Sequence, residues 1–436
     1  MGSELVQHKL GDLVHVTDYV ANGSFATLKE NVRYLSSPGF AILIRTVDFN
    51  GGWNGDYVWV GEQAYTFLSK SKLSPGDLVM SNVGSVGIVF RVPNLGTPMT
   101  LGPNAVMCRS INQSLLDQAF LYYYFLSQAG QELLRSISSG SVQLKFNKTD
   151  LRNSTLLLPD IRIQRAASRI LNLIDDRIDL LRQTNAALES IAQALFKSWF
   201  IDFDPVRAKA DGREPEGMDA ATAALFPAEF EESALGLIPK NWRVGSVYEV
   251  ANVIYGAPFS SKQFNTDANG HPLVRIRDLR DEAPGVWTPE VHPKGYLLRP
   301  GDIVVGMDGE FRAYLWGGVP AWMNQRVCCF QPVAPHCAAF VRCAIAGPLA
   351  HIEATEVATT VIHLGKGDID RFMVVVPPAD VASAFANVAD PLYTRIVTNK
   401  AHARQLSELR DALLPRLISG KLRLPEAQEQ VEDALA

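Results

Sequence analysis

The sequence predicts an α/β (α+β) chain in which two mixed, strand-rich domains are each followed by a long coiled-coil helix. Three observations support this prediction: a 43-residue stretch without Gly or Pro, an internal repeat, and strand-like runs that recur in both halves. At 436 residues the chain is too long for one ordinary domain, so two or three domains are expected.

The stretch 161–203 is predicted to be a coiled-coil helix, because an apolar a/d seam persists over four heptads. The a/d series is Leu171, Ile174, Ile178, Leu181, Asn185, Leu188, Ala192, Leu195 and Trp199. The alternative is a long amphipathic core helix. A counterpart 218 positions later favours the coil, since Leu406, Leu409 and Leu413 stand where the first helix has Leu188, Ile191 and Leu195.

The repeat extends to the domains that precede these helices. Residues 44–49 match 274–279, and the turn-containing segment 73–79 (LSPGDLV) matches 298–304 (LRPGDIV). The predicted boundaries are 1–160 for the first domain, 161–203 for the first helix, 204–240 for an irregular connector with at most one short helix, 241–378 for the second domain, 379–424 for the second helix and 425–436 for an acidic tail.

Loops between the matched strands differ, for example 82–87 (NVGSVG) against 306–312 (GMDGEFR). A shared scaffold with divergent loops predicts two modules that read two different targets. Residues 118–136 are predicted to form one helix, and its aromatic stripe is interpreted as core rather than as a platform for stacking bases.

Charge and composition exclude some classes of protein. The net charge is −5, and the segments 1–160, 161–240, 241–378 and 379–436 carry 12, 10, 12 and 7 basic residues against 12, 13, 13 and 8 acidic ones. Any binding of nucleic acid must therefore use local clusters or a partner. No apolar run approaches a membrane span, and the N-terminus does not resemble a signal peptide.

The five cysteines include the adjacent pair Cys328 and Cys329 in a strand-like run, which indicates reduced thiols and a cytoplasmic protein. Cys337, Cys343 and His336 fit no zinc spacing well, so no metal and no cofactor are expected.

Enzyme motifs are not found in the sequence. The Pro377-Pro378 pair lacks the flanking residues of an adenine methyltransferase motif, and Gly365-Lys366-Gly367 lacks the other residues of a phosphate loop. A nuclease carboxylate cluster is a weak alternative. Asp77 and Asp302 occupy matched Pro-Gly-Asp turns, where Asp commonly satisfies backbone donors.

Several stretches resemble the specificity subunit of Type I restriction–modification systems. They are 194–209 (ALFKSWFIDFDPVRAK), 225–230 (LFPAEF), 237–242 (LIPKNW), 300–312 (PGDIVVGMDGEFR), 323–328 (MNQRVC) and 413–424 (LLPRLISGKLRL). The resemblance implies two target-recognition domains that read the halves of a bipartite, asymmetric site in double-stranded DNA. It implies an antiparallel two-helix coiled coil that binds two methyltransferase subunits, with restriction subunits in the full complex. A scaffold protein organised by its coiled coil is the alternative from another class.

Side chains that could read bases are expected on the loops. The DNA-binding candidates are Arg45, Asn82, Ser85, Lys145, Asn147 and Lys148 in the first domain, and Arg275, Arg277, Asp308, Glu310, Arg312, Gln325 and Arg326 in the second. Arg45 and Arg275 share a repeat position, which favours a common structural or phosphate-contact role. Asp308, Glu310 and Arg312 have no counterpart in the first domain, which favours sequence readout.

A register for the coil follows if a twofold-like axis relates the repeats, because antiparallel partners then sum to 584. The resulting pairs are Leu171 with Leu413, Ile178 with Leu406, Asn185 with Asn399, Leu188 with Ile396, and Ala192 with Leu392. The two asparagines would fix the register at some cost in stability. Ile174 against Arg410 is a poor pair, so the seam is expected to fray or meet a partner there.

Overall fold

A computed structural model describes residues 5–140, 143–355, 362–420 and 424–435. The chain divides into two compact units, one made of residues 1–177 with 406–436 and the other of residues 178–405. Each unit therefore contains one strand-rich domain together with part of both long helices. None of the described helices is both long enough and apolar enough to cross a membrane.

The first domain contains two four-stranded sheets, ordered β2-β9-β6-β7 and β4-β3-β8-β5, and a separate antiparallel pair, β1 with β10. Its strands are β1 (Val6–Lys9), β2 (Val14–Asp18), β3 (Ala41–Ile44), β4 (Val58–Val60), β5 (Lys72–Leu73), β6 (Leu78–Ser81), β7 (Val89–Arg91), β8 (Met99–Leu101), β9 (Ala105–Ser110) and β10 (Thr155–Leu158). Strands β3, β6 and β8 are buried along their whole length, which agrees with their apolar composition apart from Ser81 and Thr100.

The helices of this domain are short. They are α1 (Leu10–Leu13), α2 (Phe25–Asn31), α3 (Thr46–Asn50), α4 (Glu62–Phe67), α5 (Gln118–Leu126), α6 (Gln128–Ser136) and α7 (Lys148–Asn153). The prediction of one helix over 118–136 is wrong, because Ser127 adopts an extended conformation and its hydroxyl accepts from the backbone N–H of Gly130. Gly130 permits this break, since a Cβ there would lie 2.1 Å from the carbonyl oxygen of Tyr124. The aromatic residues of α5 are largely buried, as predicted.

The first long helix, α8, spans Ile161–Phe200, three residues shorter than predicted. Phe203 has a left-handed backbone (φ 55°), and the next helix then begins with Pro205 in its first turn. A buried polar network fixes the first domain to the start of α8. Tyr123 donates to Asp175 (2.6 Å), Ser168 donates to Asp117 (2.7 Å), and Gln164 donates to a backbone carbonyl at Leu115 (2.9 Å).

Near Asp175 the seam of the coil is not frayed, in contrast to the expectation for the Ile174–Arg410 pair. Ile174 is completely buried. The guanidinium of Arg410, on the second long helix, donates a hydrogen bond to Asp175 at 2.9 Å. An ion pair thus accommodates the charge that apolar pairing could not.

The connector is more regular than the prediction of one short helix. It contains α9 (Asp204–Ala210), α10 (Ala220–Ala224) and a hairpin of β11 (Phe230–Ser233) with β12 (Gly236–Pro239). Val206, Phe226 and Ile238 lie in the same buried cluster as the core of the second domain, and that burial stabilises a segment whose composition alone indicates irregular structure.

The second domain repeats the sheet orders of the first, as β14-β21-β18-β19, β16-β15-β20-β17 and the pair β13 with β22. Its strands are β13 (Arg243–Ser246), β14 (Ala251–Tyr255), β15 (His271–Val274), β16 (Trp287–Thr288), β17 (Leu297–Leu298), β18 (Ile303–Gly306), β19 (Ala313–Leu315), β20 (Ala321–Met323), β21 (Val327–Pro332) and β22 (Met373–Val376). Its helices are α11 (Ala338–Thr355) and α12 (Lys366–Ile369). Short 3₁₀ turns in the two domains are Tyr19–Asn22, Ser69–Ser71, Val247–Glu249, Ser261–Gln263 and Ile276–Asp278.

The second long helix, α13, spans Ala379–Ile418, and α14 (Leu424–Leu435) occupies the predicted acidic tail. In the second unit the end of α8 and the start of α13 enter the core of the second domain. Phe200 lies 5.0 Å from both Phe340 and Phe385, measured between ring centroids. Such aromatic contacts add to the hydrophobic stabilisation of this junction.

Polar contacts also fix the second domain to both helices. Arg342 of α11 donates to Glu189 on α8 (2.6 Å) and to Tyr393 on α13 (3.3 Å). Further along α13, Lys400 donates to Glu282 (2.5 Å). The second domain therefore contacts a long stretch of helix within its own unit.

Within the second unit, contacts along the seam agree with the predicted register. Asn399 donates to the side-chain oxygen of Asn185 at 2.9 Å, which confirms the predicted asparagine pair. Leu188, Ala192, Leu392 and Ile396 pack in one apolar cluster. Other seam residues are buried, namely Leu171, Ile178, Leu406 and Leu413.

Candidate nucleic-acid interface

In the first domain, three chain segments meet where strand β6 ends. We call residues 82–87, 102–104 and 143–146 loop cluster 1. Backbone hydrogen bonds hold it together: Asn82 N–H donates to the Asn104 carbonyl (3.2 Å), Gly84 N–H to that of Leu144 (2.9 Å) and Phe146 N–H to that of Asn82 (3.1 Å). Val83 and Lys145 also form a bridge.

The second domain builds the same frame. Loop cluster 2 comprises residues 307–312, 324–326 and 362–364. Met307 N–H donates to the Arg326 carbonyl (3.0 Å), Gly309 N–H to that of Ile362 (3.1 Å) and Leu364 N–H to that of Met307 (2.8 Å). Asp308 and His363 form the bridge that Val83 and Lys145 form in the first domain.

The side chains on this common frame differ. Asp308 accepts from His363 Nδ1 at 2.6 Å and lies 3.7 Å from the Arg326 guanidinium. At the equivalent positions the first domain has Val83 and an exposed Lys145. The backbone hydrogen bonds thus fix where a side chain is presented, while the residue type decides what it presents.

Two cavities flank loop cluster 1. One of about 490 Å³ is lined by Tyr19, Tyr34 and Asn82, and the other, of about 320 Å³, by Arg45, Asn50 and Ser85. The side-chain oxygen of Asn82 is buried and has no hydrogen-bond partner, although its amide donates to the Phe146 carbonyl (3.2 Å). A buried acceptor left without a donor typically costs about 1–3 kcal/mol.

The fold and these loops correspond to known proteins. A family model described as "Type I restriction modification DNA specificity domain" matches residues 3–190. The chain is 23% identical over 407 residues to the Type I restriction enzyme MjaIX specificity subunit of Methanocaldococcus jannaschii, covering 86% of this chain and 88% of that one. It is 32% identical over 199 residues to the EcoBI specificity subunit of Escherichia coli, covering 44% and 42% of the two chains.

The fold as a whole matches the crystal structure of a Type I restriction–modification S subunit from M. genitalium, with a TM-score of 0.54 and 14% identity, over 95% of this chain and 96% of that one. Residues 3–190 therefore form a Type I restriction modification DNA specificity domain, and the chain as a whole is similar to Type I specificity subunits. Because the matched domain is described as one of DNA specificity, the two loop clusters are candidate recognition surfaces.

The structure gives three predicted DNA-binding residues a local structural role. Arg45 forms a bidentate pair with Asp48, using Nε (3.3 Å) and a terminal nitrogen (2.6 Å), and Arg275 pairs in the same way with Asp278 (3.0 and 3.2 Å). Asn147 caps α7 by accepting from the backbone N–H of Asp150 (2.8 Å).

Other candidates stay available for DNA. Ser85, Lys145, Arg277, Glu310, Arg312, Gln325 and Arg326 are exposed. Lys148 is partly buried and donates to Asp18 (2.8 Å). The loop clusters bring together Asn82, Ser85 and Lys145 in the first domain, and Asp308, Glu310, Arg312, Gln325 and Arg326 in the second.

Sequence reasoning missed His363 and Asn104. The repeat offset of 218 that aligns 149–151 with 367–369 also places His363 opposite Lys145, so the alignment already contained this signal. Asn104 has a left-handed backbone (φ 64°), which a sequence does not reveal for a residue other than glycine.

The predicted structural role of the matched aspartates is confirmed. Asp77 accepts from the Ser74 N–H (2.6 Å) and Asp302 from the Arg299 N–H (2.8 Å). The cysteines are reduced and mostly buried, and burial raises the pKa of the Cys328 thiol to about 12. Within the described ranges, no three His, Cys, Asp or Glu side chains are placed to hold a metal ion.

Proposed function

We propose that this chain is a non-catalytic DNA-reading subunit that recognises a bipartite, asymmetric site. Residues 1–160 read one half-site and 241–378 read the other. The chain directs two methyltransferase subunits, and restriction subunits in the full complex, to that site in the cytoplasm. The coiled coil is proposed to separate the two readers and to bind the partner subunits.

The observation that carries this proposal is the pair of loop clusters with one backbone frame and different side chains. A frame held by main-chain bonds keeps its shape when side chains change. Direct readout uses side chains with donors and acceptors at the base edges, and Asp308, Arg312 and Arg326 supply both kinds in loop cluster 2. Lys145 and the Ser85 hydroxyl supply them in loop cluster 1.

Charge supports a role for partners. The chain carries a net charge of −5, whereas non-specific affinity for DNA comes from neutralising phosphates. A methyltransferase that wraps the duplex would supply the missing positive charge. The specificity subunit would then contribute sequence discrimination more than raw affinity.

A gel-shift assay with and without the methyltransferase, followed by sequencing of the methylated motif in cells, tests the proposal. We expect sequence-specific retention in the presence of the methyltransferase and a methylated motif of two specific halves around an unspecified gap. Assembly with the methyltransferase but no sequence preference, and no motif in the methylome, would instead support the scaffold alternative.

A further inference from the structure

The first domain contains a basic surface that the loop clusters do not include. We call it the basic pocket. It is a cavity of about 470 Å³ on the side of β2, and its charged lining is His15, Lys70, Lys72, Arg109, Lys148 and Arg152. These residues come from four separate parts of the chain, so the fold and not a run of basic sequence creates the cluster.

Carboxylates balance only part of this charge. Arg109 forms a bidentate pair with Asp77 (2.7 and 2.5 Å), and Lys148 pairs with Asp18 (2.8 Å). Arg152 donates to a backbone carbonyl at Val16 (2.6 Å), which brings no negative charge. Five permanent cations thus face two paired carboxylates.

The surroundings of Lys72 and His15 are consistent with a positive electrostatic potential in the pocket. The Lys72 ammonium lies 4.4 Å from the centre of the Tyr65 ring. Burial lowers the pKa of His15, and the charges of Arg152 and Arg109 lower it further. The contribution of the two arginines to this shift is consistent with a positive potential at His15, whereas the larger contribution of burial is independent of the sign of the local charge.

The basic pocket adjoins loop cluster 1. Lys148 lines the pocket and bonds Asp18, and Asp18 lines the 490 Å³ cavity beside Asn82. A duplex whose base edges met loop cluster 1 would therefore bring its backbone near this pocket. Arg and Lys side chains are the usual partners of DNA phosphates.

The repeat supplies an internal comparison. Strand pairing places His15 opposite Arg109 in the first domain and Asn252 opposite Gln331 in the second. In the second domain, Gly295 and Leu297 occupy the positions that Lys70 and Lys72 hold in the first domain. Lys366 and Asp370 likewise occupy the positions of Lys148 and Arg152. Lys366 donates to Asp370 at 3.0 Å, so the equivalent surface of the second domain is close to neutral.

We propose that the basic pocket holds backbone phosphates of the DNA read by the first domain, one contacted by Lys70 and one by Lys72, and that the second domain has no such contacts. The proposal rests on the proposed function above. It predicts that the salt-dependent part of binding by this chain falls mainly on one half-site. A phosphate contact carries no base information, so it would raise affinity without changing the motif.

The test uses the full chain in complex with its methyltransferase subunits. Lys70→Gln/Lys72→Gln removes two charges, and Lys9→Gln/Arg213→Gln removes two from exposed positions outside the coil, the loop clusters and the basic pocket as the matched control. Affinity for the cognate DNA is measured between 50 and 200 mM salt. Each lost phosphate contact should reduce the slope of log affinity against log salt by about 0.9, so roughly 1.8 is expected for the double variant.

A second readout locates the contact. Replacing single phosphates of the cognate duplex by neutral methylphosphonates should weaken wild-type binding at one or two positions within the first domain's half-site. The Lys70→Gln/Lys72→Gln variant should be insensitive at those positions. If the double variant fails to fold, the single variant Lys70→Gln replaces it, because Lys70 is exposed. The slope of log affinity against log salt should then fall by about 0.9.

The outcomes separate this inference from the proposed function. Sequence-specific binding by the wild type with an unchanged salt slope in both lysine variants overturns the basic pocket but leaves the proposed function intact. Equal losses in the lysine variant and the control variant also overturn it, since the effect would then be one of general charge. Failure of the wild-type complex to prefer any sequence would contradict the proposed function itself.

Discussion

The two loop clusters share their backbone hydrogen bonds and share almost none of their side chains. In the first domain the bridging pair is Val83 and Lys145, and in the second it is Asp308 and His363. The difference shows that the fold is maintained by main-chain bonds that any residue can make. Recognition chemistry can then be assigned to side chains that the fold does not need.

Domain exchange is expected to have the largest effect. Replacing residues 1–177 by the corresponding segment of another family member should change one half of the methylated motif and leave the other half intact. The boundary at 177 keeps Tyr123 with its partners Asn172 and Asp175, to which it donates at 2.9 and 2.6 Å. Motif sequencing is the measurement, and a change in both halves would refute independent modules.

An exchange at residue 160 sharpens this experiment. It leaves the second half-site untouched but separates Tyr123 and Asp117 from their partners on α8. Breaking buried polar contacts typically costs about 1–3 kcal/mol for each group left unpaired. We expect the 1–160 hybrid to melt at a lower temperature than the 1–177 hybrid while methylating the same motif.

Shortening the coil is expected to have the next largest effect. Deleting 178–184 together with the facing stretch 400–406 removes one heptad from each helix, roughly 10 Å at about 1.5 Å per residue. If the coil acts as a ruler, the gap should shrink by up to about three base pairs at 3.4 Å each, with both half-sites keeping their bases. An unchanged gap with full activity would show that the coil does not set the distance.

The structure adds a control to this deletion. Lys400 donates to Glu282 and Arg404 donates to the Gly317 carbonyl (2.8 Å), and both donors lie in the deleted stretch. The full-length Lys400→Ala/Arg404→Ala variant therefore reports the cost of losing these contacts alone. It should keep the wild-type gap, whatever its stability.

Exchanging side chains between the loop clusters should have a smaller and local effect. Asp308→Val/His363→Lys places the first domain's pair on the second domain's frame. A good base contact provides about 1–3 kcal/mol of discrimination, so we expect a roughly 5- to 150-fold loss for the second half-site and none for the first. The reciprocal Val83→Asp/Lys145→His variant should affect only the first half-site.

Competition binding with duplexes altered in one half at a time measures both variants. Since the frame is held by main-chain bonds, melting temperatures should stay near that of the wild type. A variant that folds normally and keeps wild-type preference in both halves would exclude these positions from readout.

The smallest expected effect concerns pH. His336 lies two positions before the first residue of α11 in the second domain, and Leu116 lies at the equivalent position before α5 in the first domain. Burial lowers the pKa of His336. A histidine with a lowered pKa stabilises the fold above its unfolded value near 6.5, and this stability is lost as pH falls through the lower folded value. The second domain should therefore melt slightly earlier at pH 5.5 than at pH 7.5.

The His336→Leu variant tests this by giving the second domain the first domain's residue. Its melting temperature should depend less on pH between 7.5 and 5.5 than that of the wild type. An identical pH dependence in the two proteins would show that His336 contributes nothing to it.

The sequence predicts what periodicity and repetition encode. The heptads predicted both long helices, the repeat predicted two matched domains, and the offset of 218 predicted the Asn185–Asn399 pair. These features depend on residues at regular spacing or on a whole pattern that recurs.

Contacts between distant and irregular segments were harder to predict. Loop cluster 1 joins residues about 60 positions apart through backbone groups that every residue type carries, so no residue pattern marks it. The break at Ser127 depends on a close approach at Gly130, and the connector is ordered by the core beneath it. The basic pocket likewise exists only once the fold has assembled it.

The main-chain construction of the loop clusters has an evolutionary consequence. A lineage can replace the residue at position 83, 145, 308 or 363 without giving up a bond that the fold requires. New target preferences are then reachable by single substitutions through folded intermediates, and selection for a new DNA sequence need not act against selection for stability. In this architecture the demands of recognition and of stability fall on different atoms of the same loops.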